Sequence, residues 1–130
     1  MIKEEMIKTV KKDQFAKLLG IEIQSVETGM AEVKMKIKDE HLNGAGVVQG
    51  GVIFSLADFA FAVASNSRGK TTLGIHADID YFRPPKGQCL IAKAREINCS
   101  KSLSHYSVTV TDVEDRLIAK FSGTGFTKEN

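Results

Sequence analysis

The sequence has no run of about 18 consecutive apolar residues, and so no segment able to cross a bilayer as a helix. It also lacks a marked charge of either sign. Eighteen Lys and Arg against 16 Asp and Glu leave a formal net charge of +2, too mild to argue for nucleic acid as a main partner. Cysteine is scarce: Cys89 and Cys99 have no CxxC spacing, which excludes a redox or zinc motif. The two read as inert, packed or half-exposed thiols of a reducing compartment. His41, His76 and His105 show no metal-ligand spacing, so no metal site is expected. The first twenty residues are charged and hold no apolar core of a secretory leader. There are no repeats, linkers or low-complexity tracts. These absences predict a cytoplasmic protein of one domain over 1–130, and 42% hydrophobic content is enough for one core without staples.

What is present alternates in period. Met6, Val10, Phe15, Leu18 and Leu19 recur at helical spacing up to Gly20, predicting an N-terminal helix within 1–19 that packs on the domain. From Ile21 the period becomes two. A strand leads to the turn Thr28-Gly29, and Ala31, Val33, Met35 and Ile37 then alternate with Glu32, Lys34, Lys36 and Lys38. A Gly- and Asn-rich loop follows over 39–48. Gln49 to Asn66, free of proline and apolar on nearly every face, predicts a buried helix with Gly50 and Gly51 at its start. Four strand patterns follow: Leu73 to Phe82, Gln88 to Asn98, His105 to Val113 and Leu117 to Phe126. An α+β fold results, with a curved antiparallel sheet of five or six strands wrapped around one long central helix.

One residue does not fit a buried helix. Asp58 stands in the middle of the apolar run Val52 to Ala64, and an ionised carboxylate is costly to bury without partners. It is either a structural carboxylate bonded to loop N–H groups or a chemical one.

Around it, His41-x-Asn43, Gly46, Gln49-Gly50-Gly51, Phe54-x-Leu56-Ala57-Asp58-x-Ala60-Phe61-Ala62 and Asn66-Ser67-x-Gly69 stand in order. Together with Ile79-x-Tyr81-Phe82-x-Pro84, they resemble the hotdog-fold acyl-CoA thioesterases of the phenylacetate-pathway (PaaI-like) type, over roughly residues 15 to 127. The resemblance implies a hotdog fold and hydrolysis of an acyl- or aryl-CoA thioester, with no cofactor beyond that substrate. It places the catalytic carboxylate at Asp58. It puts Asn43 near the attacking water or the neighbouring subunit's carboxylate, and makes the Gly50 backbone N–H the group that polarises the thioester carbonyl. Gln49 stands where the family usually has His; it keeps hydrogen-bonding capacity but cannot act as a base near neutral pH. His76 fills a slot that is often a hydroxyl or other polar residue. Arg83, Lys86 and Lys101 sit at strand ends where the family accepts CoA phosphates.

Chemistry supports the assignment without fixing every role. Free N–H groups at a helix N-terminus stabilise an oxyanion, and glycine at Gly50 and Gly51 lets substrate approach them, or else admits tight packing. Asp58 serves as nucleophile or as general base. Asn43 is otherwise a turn residue, Phe54 lines either core or acyl pocket, and the three basic residues are otherwise plain surface. Asp58 and Gly50 lie about two turns apart, roughly 12 Å along one helix, so one carbonyl cannot touch both in the same chain. The resemblance implies a homodimer with shared active sites, assembled further into a homotetramer, the last strand offering an unpaired edge. Two other functions share this architecture. Hydratases need a His in or at the start of the central helix, which is absent here, and a non-catalytic acyl-CoA sensor dispenses with the carboxylate that this chain retains.

Overall fold

The helical N-terminus is two short helices rather than one. A computed structural model, which describes residues 4–128, shows α1 at Glu4–Val10 and α2 at Gln14–Leu19; the first three residues of the expected helix lie outside the described residues. The break is at Asp13, whose carboxylate accepts from the Ala16 N–H at 2.9 Å and starts a new helix as its N-cap. Gly20 ends α2 in a left-handed conformation, φ 81°, as its position in the sequence predicted. Ile7, Val10, Ala16 and Leu19 pack the pair against the core.

The chain then forms β1 (Ile21–Glu27), β2 (Met30–Lys36), a 3-10 turn at Asp39–His41, α3 (Gly50–Ser65), β3 (Thr72–Tyr81), β4 (Cys89–Cys99), β5 (Leu103–Asp112) and β6 (Leu117–Thr127). The strands make a single six-stranded sheet in the order β1-β2-β4-β5-β6-β3, every neighbour antiparallel. The alternation read in β2 is the real one: Ala31, Val33 and Met35 are buried. They share the inner face with Leu90, Ala92, Val108, Val110 and Phe121, and α3 packs there through Leu56, Ala57, Ala60, Val63 and Ala64. A curved sheet around a central helix is what the resemblance implied.

The sheet's free edges are β1 and β3, not the last strand. β6 lies between β5 and β3. The reason lies just after α3. Asn66 buries its carboxamide between helix and strand, donating to the carbonyls of Ala62 (2.8 Å) and Thr72 (3.1 Å) and accepting from the Thr72 N–H at 2.8 Å. That clamp starts β3 at the C-terminal end of α3 and carries it to the outside of β6. β3 therefore presents an edge with Leu73 and Ile75 exposed at 65% and 60%.

A second polar anchor was not foreseen. Asp112 ends β5 with its carboxylate buried. It accepts from the backbone N–H groups of Lys86 (2.9 Å), Glu114 (3.0 Å) and Arg116 (3.1 Å) and from the Arg116 side chain. Burial alone pushes the carboxyl up, but these donors outweigh it and hold the pKa at about 2 instead of 3.8. A pKa lowered in the folded state contributes stability that is present above the ordinary carboxylate range and lost as pH falls through the folded value. Asp112→Ala is expected to destabilise the fold by about 3 kcal/mol at neutral pH and to flatten the pH dependence of the urea midpoint between about pH 4 and pH 2. A wild-type midpoint in this variant would remove Asp112 from that role.

Candidate active site

The loop before α3 is built from its own residues. His41 is buried, its Nδ1 accepting from the Lys38 N–H and its Nε2 lying 3.0 Å from the Leu19 carbonyl; a proton on Nε2 satisfies both. The His41 carbonyl accepts from the Gln49 N–H at 2.9 Å, closing the loop at its base. Asn43 closes the tip: its side-chain oxygen accepts from the N–H groups of Ala45 (2.8 Å) and Val47 (3.3 Å). Asn43 is thus a turn residue in this chain. Its amide NH2 donates to no described residue, so the turn role leaves that group available.

Gln49 is the N-cap of α3 and its carbonyl receives the N–H groups of Val52 and Ile53. The N–H groups of Gly50 and Gly51 meet no acceptor among the described residues, as the first turn of a helix requires. Side chains crowd both glycines. A Cβ on Gly50 would lie 3.3 Å from the Tyr81 ring, and one on Gly51 would lie 2.7 Å from the Gln49 side-chain oxygen. The space freed at Gly50 is thus filled by Tyr81, whose hydroxyl donates to the Gly50 carbonyl at 2.9 Å, and the carboxamide of Gln49 folds over Gly51.

Asp58 is not buried as its apolar neighbours in sequence suggest. α3 turns one stripe away from the sheet, Gly51, Ser55, Asp58, Ala62 and Ser65, on which Asp58 is exposed in the single chain. Its carboxylate accepts no hydrogen bond from any described residue, so the expected bonds to loop N–H groups are not made within this chain. The surrounding protein raises its pKa above the usual 3.8 by desolvation first and by the Asp13 carboxylate second. Phe54 is half-buried and meets Phe121 edge-on with ring centroids 5.4 Å apart, which places it on the core side of the helix.

The other candidates divide between the two ends of the sheet. Arg83, just past β3, donates to the Leu117 carbonyl. Lys86 follows on the same loop, near the end of the sheet that holds Gly50. Lys101 lies in the β4–β5 turn, at the opposite end of the eleven-residue β4, roughly 33 Å away at strand rise. One protomer therefore does not gather the three cations into a single site. His76 is exposed in the middle of β3, its Nε2 3.8 Å from the Asp78 carboxylate. No group of three or more His, Cys, Asp or Glu among the described residues is placed to hold a metal ion. Tyr81 enters the sequence reading only within the strand-end motif that carries the resemblance, with no role of its own, and Asp13 not at all. Tyr81 reads as a strand-end aromatic and Asp13 as one charge in a charged segment, and only packing brings them to α3.

Residues 45–119 match the family model described as the thioesterase superfamily. Acyl-coenzyme A thioesterase PaaI of Escherichia coli (strain K12) is 38% identical over 112 residues, covering 85% of this chain and 80% of that protein. Acyl-coenzyme A thioesterase 13 of Homo sapiens is 30% identical over 122 residues, covering 89% and 87%. The structure of the E. coli PaaI protein from the phenylacetic acid degradation operon superimposes with a TM-score of 0.93 at 32% identity, over 98% of this chain and 93% of that one. The hotdog fold expected from the sequence is thereby shown.

The environment of Asp58 has a measurable consequence. A carboxyl whose folded pKa is raised contributes stability that is complete below the unfolded value and lost as pH rises through the folded value. At pH 7 the ionised Asp58 therefore works against the fold. Asp58→Asn is expected to raise the urea midpoint at pH 7 and leave it unchanged at pH 3. A lowered midpoint at pH 7 would instead identify a structural carboxylate.

Proposed function

Because this chain belongs to the thioesterase superfamily, we propose that it hydrolyses an acyl- or aryl-coenzyme A thioester to the free acid and coenzyme A, with water as the only co-reactant. The observation that carries the reading is the pair of free N–H groups at the start of α3 on the same helix as Asp58, a carboxylate with no hydrogen-bond donor of its own. As the thioester carbonyl becomes tetrahedral, its oxygen gains charge that the Gly50 N–H and the helix dipole stabilise. Asp58 either takes a proton from the attacking water or attacks the carbonyl carbon itself, forming an anhydride that water then opens. In both versions the C–S bond breaks with its electron pair on sulfur. A thiolate leaves readily, so no strong general acid is needed. Asn43 offers its amide NH2 to the water or to the carboxylate, and Gln49 orients the loop and the substrate by hydrogen bonding.

The site we propose is shared between two copies, since Gly50 and Asp58 of one helix lie roughly 12 Å apart. The edge of β3, with Leu73 and Ile75 exposed, supports antiparallel pairing with its own copy. Such pairing turns the Lys101 end of one copy toward the Arg83 and Lys86 end of the other, so both ends contribute cations to the nucleotide of CoA. Two such dimers form the tetramer through the outer sheet face. A groove of about 390 Å³ crosses that face, lined on one side by Glu27 and Glu32 and on the other by Lys93, Arg95 and Lys120.

Thiol release from a panel of aryl- and fatty acyl-CoAs tests the activity. Turnover is expected, and Asp58→Asn is expected to lower kcat by two or more decades with the fold intact; tight binding without release would make the protein a sensor. The acid limb of kcat/KM should lie above the ordinary Asp value, because the base must be ionised and its pKa is raised. Asp13→Asn keeps the N-cap while deleting the neighbouring charge, and should move that limb to lower pH. An unmoved limb would assign it to another group.

Shared sites make a separate prediction. Asp58→Asn and Gly50→Leu, each inactive alone, should recover about a quarter of wild-type activity when equal amounts exchange subunits, since half the dimers then hold one intact site. No recovery despite proven exchange would place both groups in one protomer's site.

A further inference from the structure

Tyr81 closes β3 beside the start of α3, and the proposed chemistry does not use it. The residue is 49% exposed, yet its hydroxyl is committed: it donates to the Gly50 carbonyl at 2.9 Å. The phenol packs closely on the bare Cα of Gly50, since a Cβ there would lie 3.3 Å from Cζ and 3.4 Å from the hydroxyl oxygen. Desolvation raises the phenol pKa above 10.0, so the hydroxyl keeps its proton at neutral pH.

The Gly50 carbonyl and the Gly51 N–H belong to one planar peptide unit. A donor on the oxygen holds that plane and draws electron density through the conjugated C–N bond, which strengthens the N–H at its other end as a donor. That N–H is one of the two left without an acceptor among the described residues, and it lies next to the one assigned to the oxyanion. We propose that Tyr81 is a positioning residue for thioester hydrolysis: through the Gly50 carbonyl it orients and polarises the Gly51 N–H, which joins the Gly50 N–H as a second donor to the oxyanion. The inference rests on the thioesterase reading above and adds a residue to it. The bare Cα of Gly50 gives the phenol room beside the carbonyl, where a Cβ would press on it at 3.3 Å.

A strand-to-helix staple with no part in catalysis would make the same hydrogen bond, so the test must separate the two. Tyr81→Phe keeps the ring seated and removes only the hydroxyl. The expected result is a kcat about fivefold lower, the usual worth of one neutral hydrogen bond. KM should be unchanged, because the donor acts on charge that develops in the transition state. In the free protein the Gly51 amide proton should shift upfield in the NMR spectrum relative to wild type. Wild-type kcat in folded Tyr81→Phe overturns the proposal, as does a loss confined to KM or to thermal stability, or an unmoved Gly51 amide. If the wild-type chain releases thiol from no acyl-CoA, the thioesterase reading fails by itself. The Gly51 amide then still decides whether Tyr81 sets that donor.

Discussion

Everything in this fold depends on the burial of one face of α3 against the inner face of the sheet. Leu56, Ala57, Ala60, Val63 and Ala64 have no solvent exposure, and neither do Val33, Met35, Leu90, Val108 and Phe121 opposite them. Burying a Leu, Val or Phe side chain contributes about 1.5–3 kcal/mol, whereas a surface ion pair such as Lys93–Glu32, at 3.9 Å, is worth about 0–1 kcal/mol. A few core side chains therefore settle where the helix lies. The three alanines let its backbone approach the sheet closely. With the helix fixed, its N-terminus must arrive beside Tyr81 and its C-terminus beside Thr72, and the remaining polar contacts follow from that placement.

Two carboxylates show how placement, not residue type, sets chemistry. Asp112 is enclosed, but three backbone N–H groups and a guanidinium converge on it, and its pKa falls to about 2. It is a fastener between the β5–β6 turn and the loop after β3. Asp58 is the more accessible of the two, yet no described donor meets it, and desolvation with the nearby Asp13 charge raises its pKa. A carboxylate fully paid for by hydrogen bonds is inert. One left without them is available for a proton or for an acyl carbon, at a cost to stability.

The start of α3 follows the same logic with the signs reversed. Helix geometry leaves its first N–H groups without acceptors, and the chain arranges its neighbours without covering them. Gln49 spends its carbonyl on Val52 and Ile53, and Asn43 and His41 hold the preceding loop shut from within. Tyr81 bonds the carbonyl of Gly50 and leaves the N–H side open. An anion-seeking surface results, built almost wholly from main chain. The β3 edge beside it is ten residues long and mixes exposed Leu73 and Ile75 with His76, Asp78 and Asp80.

Much of this was legible in the residues, because local periodicity and capping are local physics. The boundaries of α3 fall one residue inside Gln49 and Asn66, and Gly20 ends the helix before it as expected. The alternation of β2 names Ala31, Val33 and Met35 as buried, though Ile37 lies past the strand and is half-buried, and the spaced Gly50-Gly51 and Asp58 carry the family resemblance. What sequence leaves open depends on which distant segments meet. Helical periodicity runs through Asp13, so its capping bond and the break it makes appear only in the structure. The last strand looks like an edge, but the Asn66 clamp on Thr72 puts β3 outside it. Arg83, Lys86 and Lys101 look like one set of strand-end cations, until the length of β4 separates Lys101 from the others. Asp58 seems buried because its sequence neighbours are apolar, yet a helix of that composition still turns one stripe outward. Tyr81 gains its place only because β3 ends where α3 begins. The sequence by itself determined the strands and the long helix, the core face of β2 and the chemical groups on offer. It did not determine the break in the N-terminal helix or the core face of β4, where Leu90, Ala92 and Ala94 are buried and Ile97 is exposed. Tertiary structure decided which groups meet, because contacts between segments far apart in the chain are set by burial over the whole sheet, which no local pattern encodes.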